Sequence, residues 1–194
     1  MKRALIVIDV QKIYTNPKSE LHCKDAKATV KRINTLIERF ERKNEPIFLI
    51  RHIHKVDGSD LGRMFDYTGV PEEDFNFKEK TEEVEYESQL LMPKRSIEIV
   101  KTRYSAFIGT TLNENLRQAG IDTVAIVGFM TNFCCESTAR SAHDLDYFVD
   151  FIVDATGTPG TENMNEKQIR KTVGEFLESG FARVMSTKKY LKAS

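Results

Sequence analysis

Cysteine is scarce in this sequence: Cys23, Cys134 and Cys135 are the only three among 194 residues. An odd number at such spacings argues against a disulfide framework and against a zinc ribbon. An excess of either charge is also lacking. Lys plus Arg number 29 and Asp plus Glu number 29, so nothing electrostatic draws the chain to nucleic acid or to an anionic membrane surface. No apolar run approaches the ~20 residues of a transmembrane helix. The opening MKRALIVIDV sets a basic pair before a short apolar run. Asp9 interrupts that run too soon for a signal peptide, and no small-residue cleavage site follows. The expectation is a cytoplasmic protein with no nucleic-acid or membrane partner. Internal repeats and low-complexity linkers are missing as well. The length suits one domain, residues 1–194, and a hydrophobic share of 40% suffices for its core.

What is present is a repeated alternation. ALIVIDV (4–10), PIFLIRH (46–52), a short stretch ending near Lys101, DTVAIVGFM (122–130), YFVDFIVDA (147–155) and ARVMST (182–187) read as six strands. Continuous apolar runs of this kind suit strands buried on both faces of a parallel sheet. Between them lie segments of helical spacing. Residues 25–42 carry Val30, Ile33, Leu36, Ile37 and Phe40, and 110–119 carry Leu112 and Leu116 before a stop at Gly120. Residues 132–145 read as a helix, and 163–179 as one with Ile169, Val173, Phe176 and Leu177 inward. The pattern predicts an α/β fold: a three-layer α/β/α sandwich on a mostly parallel six-stranded sheet. Residues 54–95 differ, being polar, rich in Glu and Lys, with Gly58, Gly62 and Gly69 and little periodicity. A stretch so long inside a compact domain reads as a functional loop or lid.

Asp9, Lys101 and the cysteine pair share a position at or just past the carboxyl end of a predicted strand. Open α/β sheets bind ligands there. Taken singly, each has an ordinary explanation: a turn-capping Asp, a solvated Lys, a small buried Cys. Together, a carboxylate, an amine and a thiol form a working set. GFMTNFCCESTAR (128–140) runs from strand through a tight turn into a helix. A cysteine in the first turn meets the positive end of the helix dipole, which favours the thiolate, and a nearby ammonium would favour it further. Asp9 could take the thiol proton and later deliver one to an amine leaving group.

ALIVIDVQ, KTRYSAF and VGFMTNFCCESTAR, in this order and with GIDTVAIVG and VDATGT between and after them, resemble the isochorismatase-like cysteine hydrolases. That superfamily includes nicotinamidases and N-carbamoylsarcosine amidase. The resemblance spans essentially the whole chain. It implies an isochorismatase-like, Rossmann-like fold, a catalytic triad of Asp9, Lys101 and Cys134, and a cis peptide at Phe129–Met130. It also implies an oxyanion hole made by the backbone N–H groups of Met130 and Cys134. Gln11 matches the Asp-x-Gln of the first strand and is expected to orient the site. Tyr14 and Phe107 lie where relatives line the pocket with aromatics, though a core role suits them equally. Gln11, Tyr14, His52, Phe107 and Phe129 form the expected substrate-binding set. Cys135 stands where relatives often carry a small packing residue.

Nicotinamidases of this superfamily carry a metal site of one Asp and three His near the second strand. Here that region reads RHIHKVDGSD, with His52 and His54 sharing one face of an extended segment. His22 and His143 lie elsewhere, so no metal and no cofactor are expected. True isochorismatases cleave a vinyl ether and lack the nucleophilic cysteine. Cys134 therefore points to C–N hydrolysis of a small amide, carbamoyl or ureido compound through a thioester. Nicotinamidase activity and a non-catalytic interaction module are the alternatives. A dithiol role for Cys134 and Cys135 is disfavoured, because adjacent cysteines close only a strained ring. The resemblance also implies a homo-oligomer, a dimer or larger.

Overall fold

The computed structural model describes residues 1–67 and 75–193. Six strands, β1 (Arg3–Ile8), β2 (Ile47–His52), β3 (Ile97–Lys101), β4 (Thr123–Phe129), β5 (Phe148–Gly157) and β6 (Arg183–Met185), form one sheet. The helices are α1 (Lys12–Thr15), α2 (Ala26–Arg42), α3 (Leu112–Gln118), α4 (Glu136–Asp144), α5 (Glu166–Glu178) and α6 (Thr187–Ala193). A 3₁₀ turn at Glu82–Val84 and a π turn at Thr131–Cys135 are also present among the described residues. The strand order is β3-β2-β1-β4-β5-β6, and every pairing is parallel. The expected mostly parallel sheet is thus wholly parallel among the described residues.

The three layers follow from alternation along the central strands. Leu5 and Val7 of β1 face one core with Val30, Ile33, Ile37 and Phe40 of α2 and Tyr190 of α6. Ile6 and Ile8 face the other with Leu112 of α3, Ala139 of α4 and Ile169 of α5. All seven residues of β4 are buried, as a strand covered on both faces requires. Helix α5 starts at Asn165 with a reciprocal capping box to Gln168. Ile169, Val173 and Leu177 point inward as expected, but Phe176 is 58% exposed. One residue turns a helix by ~100°, so Phe176 sits beside the stripe of four-residue steps, not on it.

Beyond β1 the chain turns toward β2 and β3, and beyond β4 toward β5 and β6. The switch in strand order therefore lies between β1 and β4, the place where such sheets build sites. At that point Gly128 sits opposite Ile8 with φ +124, and a Cβ there would collide with the Ile8 carbonyl oxygen. Only glycine permits this close approach.

The segment between β2 and β3 carries no strand or α-helix among its described residues, in keeping with the loop expected for residues 54–95, of which 68–74, including Gly69, lie outside the described residues. Its described parts are tied down. His54 N–H donates to the Phe77 carbonyl at 2.7 Å, Lys12 N–H to the Glu85 carbonyl and Glu87 N–H to the Val10 carbonyl, each at 2.9 Å. Phe75, Phe77, Val84 and Leu90 are buried. Sparse apolar residues anchor a polar segment as a fixed wall beside the carboxyl ends of β1 and β2.

Candidate active site

Asp9 is the first residue past β1, and its backbone is left-handed, φ +50. Such a conformation is strained for a side chain other than Gly, Asn or Asp, and it turns the carboxylate over the sheet end. Lys101 closes β3 two strands away. Its Nζ lies 2.8 Å from Asp9 Oδ2 and donates to Cys134 Sγ at 3.2 Å. The side chains of Asp9 and Lys101 are both fully buried. The three residues that converge here are thus Asp9, Lys101 and Cys134. Neither Asp9 oxygen accepts an aligned hydrogen bond among the described residues, so the ion-pair contact is its main counterbalance.

Cys134 is the fourth residue of the π turn that begins α4, where early backbone N–H groups lack intrahelical partners. The turn is held from β5: Thr131 Oγ1 donates to Thr156 Oγ1 at 2.9 Å, and Thr158 Oγ1 to Asn132 Oδ1 at 2.6 Å. The stretch VDATGT thereby anchors the turn that carries Cys134. The peptide bond between Phe129 and Met130 is cis, as the resemblance implied. Cys135 is fully buried in the core beside Ala139, and all three cysteines are free thiols.

The electrostatics correct one expectation. Helix dipole and ammonium were expected to favour the Cys134 thiolate. Burial outweighs the ammonium: it pushes the Cys134 thiol up to about 12, with Lys101 pulling it down and Asp9 pushing it up. Burial thus favours the thiol form of Cys134. Burial likewise raises the Asp9 carboxyl above 3.8, opposed by Lys101. Lys101 is held above 10.5 because Asp9 and Cys134 outweigh the burial that disfavours its charge. Burial raises Cys135 and Cys23 as well. A buried thiol beside a carboxylate of raised basicity suits proton transfer during attack, not a preformed thiolate.

The other expected site residues separate into three groups. Gln11 is fully buried; its Nε2 donates to the carbonyls of His52 and Val84 at 3.0 Å, and its Oε1 accepts from His52 N–H at 2.9 Å. With both amide protons engaged, it clamps β1, β2 and the wall together. Tyr14 stacks on Phe129 at 5.3 Å and leans on Phe77 at 6.1 Å. Phe107 instead packs in the core, 5.9 Å from Tyr147, whose hydroxyl donates to Asn113 of α3.

His52 is 1% exposed, stacks on Phe77 at 4.5 Å, and has Nε2 at 2.9 Å from His54 Nε2. His54 Nδ1 lies 3.3 Å from Asp60 Oδ1. Asp60 was missed as a site neighbour; GSD after HIHK was its only signal. Ligand atoms of Asp9, His52 and Cys134 fall within 4.8 Å of one another. This donor set does not fit a divalent cation: the Lys101 ammonium contacts Asp9 and Cys134, and His52 and His54 spend a nitrogen each on one another.

A family model described as the isochorismatase domain matches residues 3–189. Nicotinamidase 3 of Arabidopsis thaliana is 34% identical over 157 residues, covering 80% of this chain and 73% of its own. A cysteine hydrolase from Pseudomonas syringae pv. phaseolicola superposes with a TM-score of 0.91 at 26% identity, covering 98% and 91% of the two chains. N-carbamoylsarcosine amidase from Thermoplasma acidophilum superposes at 0.77 with 25% identity, covering 96% and 97%.

Proposed function

The chain belongs to the isochorismatase family, and from that premise we propose that it is a cysteine hydrolase that cleaves a non-peptide C–N bond in a small amide, carbamoyl or ureido compound. One observation carries the reading: a single buried ammonium, Lys101 Nζ, touches both the Asp9 carboxylate and the Cys134 sulfur. Nothing in folding asks for this arrangement, since burying such a pair costs desolvation that its attraction only partly offsets.

In the proposed reaction, Asp9 takes the proton of Cys134 as Sγ attacks the substrate carbonyl carbon. The Lys101 ammonium stabilises the sulfur as it becomes anionic. The N–H groups of Met130 and Cys134 hold the carbonyl oxygen as it becomes an oxyanion. The C–N bond then breaks, and Asp9 returns its proton to the departing nitrogen, leaving a thioester. A water gives a proton to Asp9 and its oxygen to the acyl carbon, which releases the acid and restores the thiol. The stack of Tyr14, Phe129, Phe77 and His52 walls the site and helps exclude water.

Nicotinamide is the second reading, favoured by the 34% identity to nicotinamidase 3. A screen for ammonia release from small amides, carbamoyl and ureido compounds, nicotinamide among them, separates the two. Cys134→Ala is expected to abolish turnover of every hit while the circular dichroism spectrum and melting temperature stay close to wild type. Turnover retained by that variant would sink the thioester mechanism.

A further inference from the structure

The wall carries a buried polar chain that the proposed mechanism leaves unused. Asp60 accepts from Lys55 N–H at 3.1 Å and faces His54 Nδ1 at 3.3 Å. A carboxylate can only accept, so His54 must carry its proton on Nδ1. Burial lowers the pKa of both histidines, the nearby Lys101 and Arg103 cations act the same way, and the Asp60 carboxylate facing His54 offsets this only in part. Both rings are therefore neutral near pH 7, with one N–H each. His54 Nε2 is then a lone pair, and the 2.9 Å contact between the two Nε2 atoms requires His52 to donate. That leaves His52 Nδ1 as a lone pair. It is buried and has no partner among the described residues. One ring nitrogen of His52 lies within 4.8 Å of the Asp9 carboxylate and Cys134 Sγ.

We propose that Asp60, His54 and His52 form a tautomer relay that leaves His52 Nδ1 as a fixed hydrogen-bond acceptor on a ring that borders Cys134, a specificity element for substrates that offer an N–H at the reacting end. An acceptor locked in this way holds a primary amide or ureido nitrogen. It meets the lone pairs of an ester oxygen with its own, and a buried acceptor left unmatched is costly. The choice of substrate rests on the cysteine-hydrolase reading; the tautomers do not. In this account His52 contacts the substrate, His54 and Asp60 position it, and all three are distinct from the proton-transferring Asp9.

The test is long-range ¹H–¹⁵N NMR of the uniformly labelled full chain at pH 7. His22→Gln and His143→Gln leave the two relay rings to assign. The expected spectrum has His54 protonated on Nδ1 and His52 on Nε2 alone. His52 protonated on Nδ1, or either ring as imidazolium, would overturn the relay. Asp60→Ala is expected to turn both fixed tautomers into mixtures; unchanged tautomers would show that Asp60 does not set them. His52→Phe keeps a ring against Phe77 and removes the acceptor. With N-carbamoylsarcosine and nicotinamide as probes, KM for whichever is turned over should rise about tenfold with kcat changed less, and an unchanged KM would refute the specificity role. If wild type turns over neither probe, that failure falls on the substrate class, while the NMR result still decides the relay.

Discussion

The two ends of the sheet differ in what they bury. At the amino ends of β2 and β3 lies an open groove of about 720 Å³, lined by Glu41, Asn44, Lys94, Arg95 and Ile97 among others. Its charged groups are largely solvated. At the carboxyl ends, Asp9, Gln11, His52, His54 and Lys101 are each at most 1% exposed. Room for a small molecule exists at the amino end. Chemistry chooses the other, because a charge kept from water has altered proton affinity and a fixed neighbour, whereas a solvated charge has neither. Parallel topology explains the asymmetry: every strand delivers its last residue to one end, so Asp9, Lys101 and the turn to Cys134 meet there.

The largest test of that contrast is Lys101→Met. It leaves Asp9 buried with no cation and Cys134 with no donor. Breaking a buried pair on one side costs about 3–5 kcal/mol, read as a lower denaturant midpoint. Turnover should fall by roughly 10³-fold, the order seen when one preorganised stabilising group is lost. Alkylation of Cys134 by iodoacetamide near neutral pH should slow too, because the ammonium is the main influence lowering the thiol pKa. A variant as stable and active as wild type would remove the distinction between the two ends.

A smaller effect sharpens it through pH. Asp9 must be ionised to accept the thiol proton, and burial raises its pKa above 3.8. The acid limb of kcat/KM should therefore lie above that value, with turnover falling about tenfold per pH unit below it. The stability contribution has the opposite sign. Between 3.8 and the raised value the folded state binds the proton that the unfolded state has released, so stability from Asp9 is present at low pH and lost as pH rises. Activity and this share of stability exclude one another. An acid limb at or below 3.8 would place Asp9 outside the base role.

Much of this was legible in the chain. ALIVIDV and DTVAIVG show their strands because parallel strands covered on both sides need uninterrupted apolar residues, and strand ends point to Asp9 and Lys101. Three things were not legible. The sign of the Cys134 shift depends on how completely the site is closed, and 2% exposure is a property of packing. The wall between β2 and β3 rests on long-range backbone pairs, His54 with Phe77 and Lys12 with Glu85, which leave no period in the sequence. Asp60 joins His54 through a turn six residues long, so its part shows only when both rings are placed. Phe176 fails for a simpler reason: an apolar residue near a buried stripe satisfies the same pattern whether it faces inward, outward or sideways.

The smallest expected effect lies at the amino end. Arg95 lines the open groove, is exposed, and makes no ion pair among the described residues. From Ile47 at that end of β2 to His52 at the other, five steps of strand span roughly 17 Å. Exposed charges so far apart are screened at ordinary salt, where the Debye length is about 8–10 Å. Arg95→Ala should therefore shift stability by no more than about 0.5 kcal/mol. It should leave kcat/KM and the acid limb within about twofold of wild type, a bound set by the same screening. The control matters because the groove is large enough to hold a small molecule. If Arg95→Ala instead changed KM for the substrate that the ammonia screen returns, the groove would be coupled to the site, and burial of charge would no longer separate the working end of the sheet from the idle one.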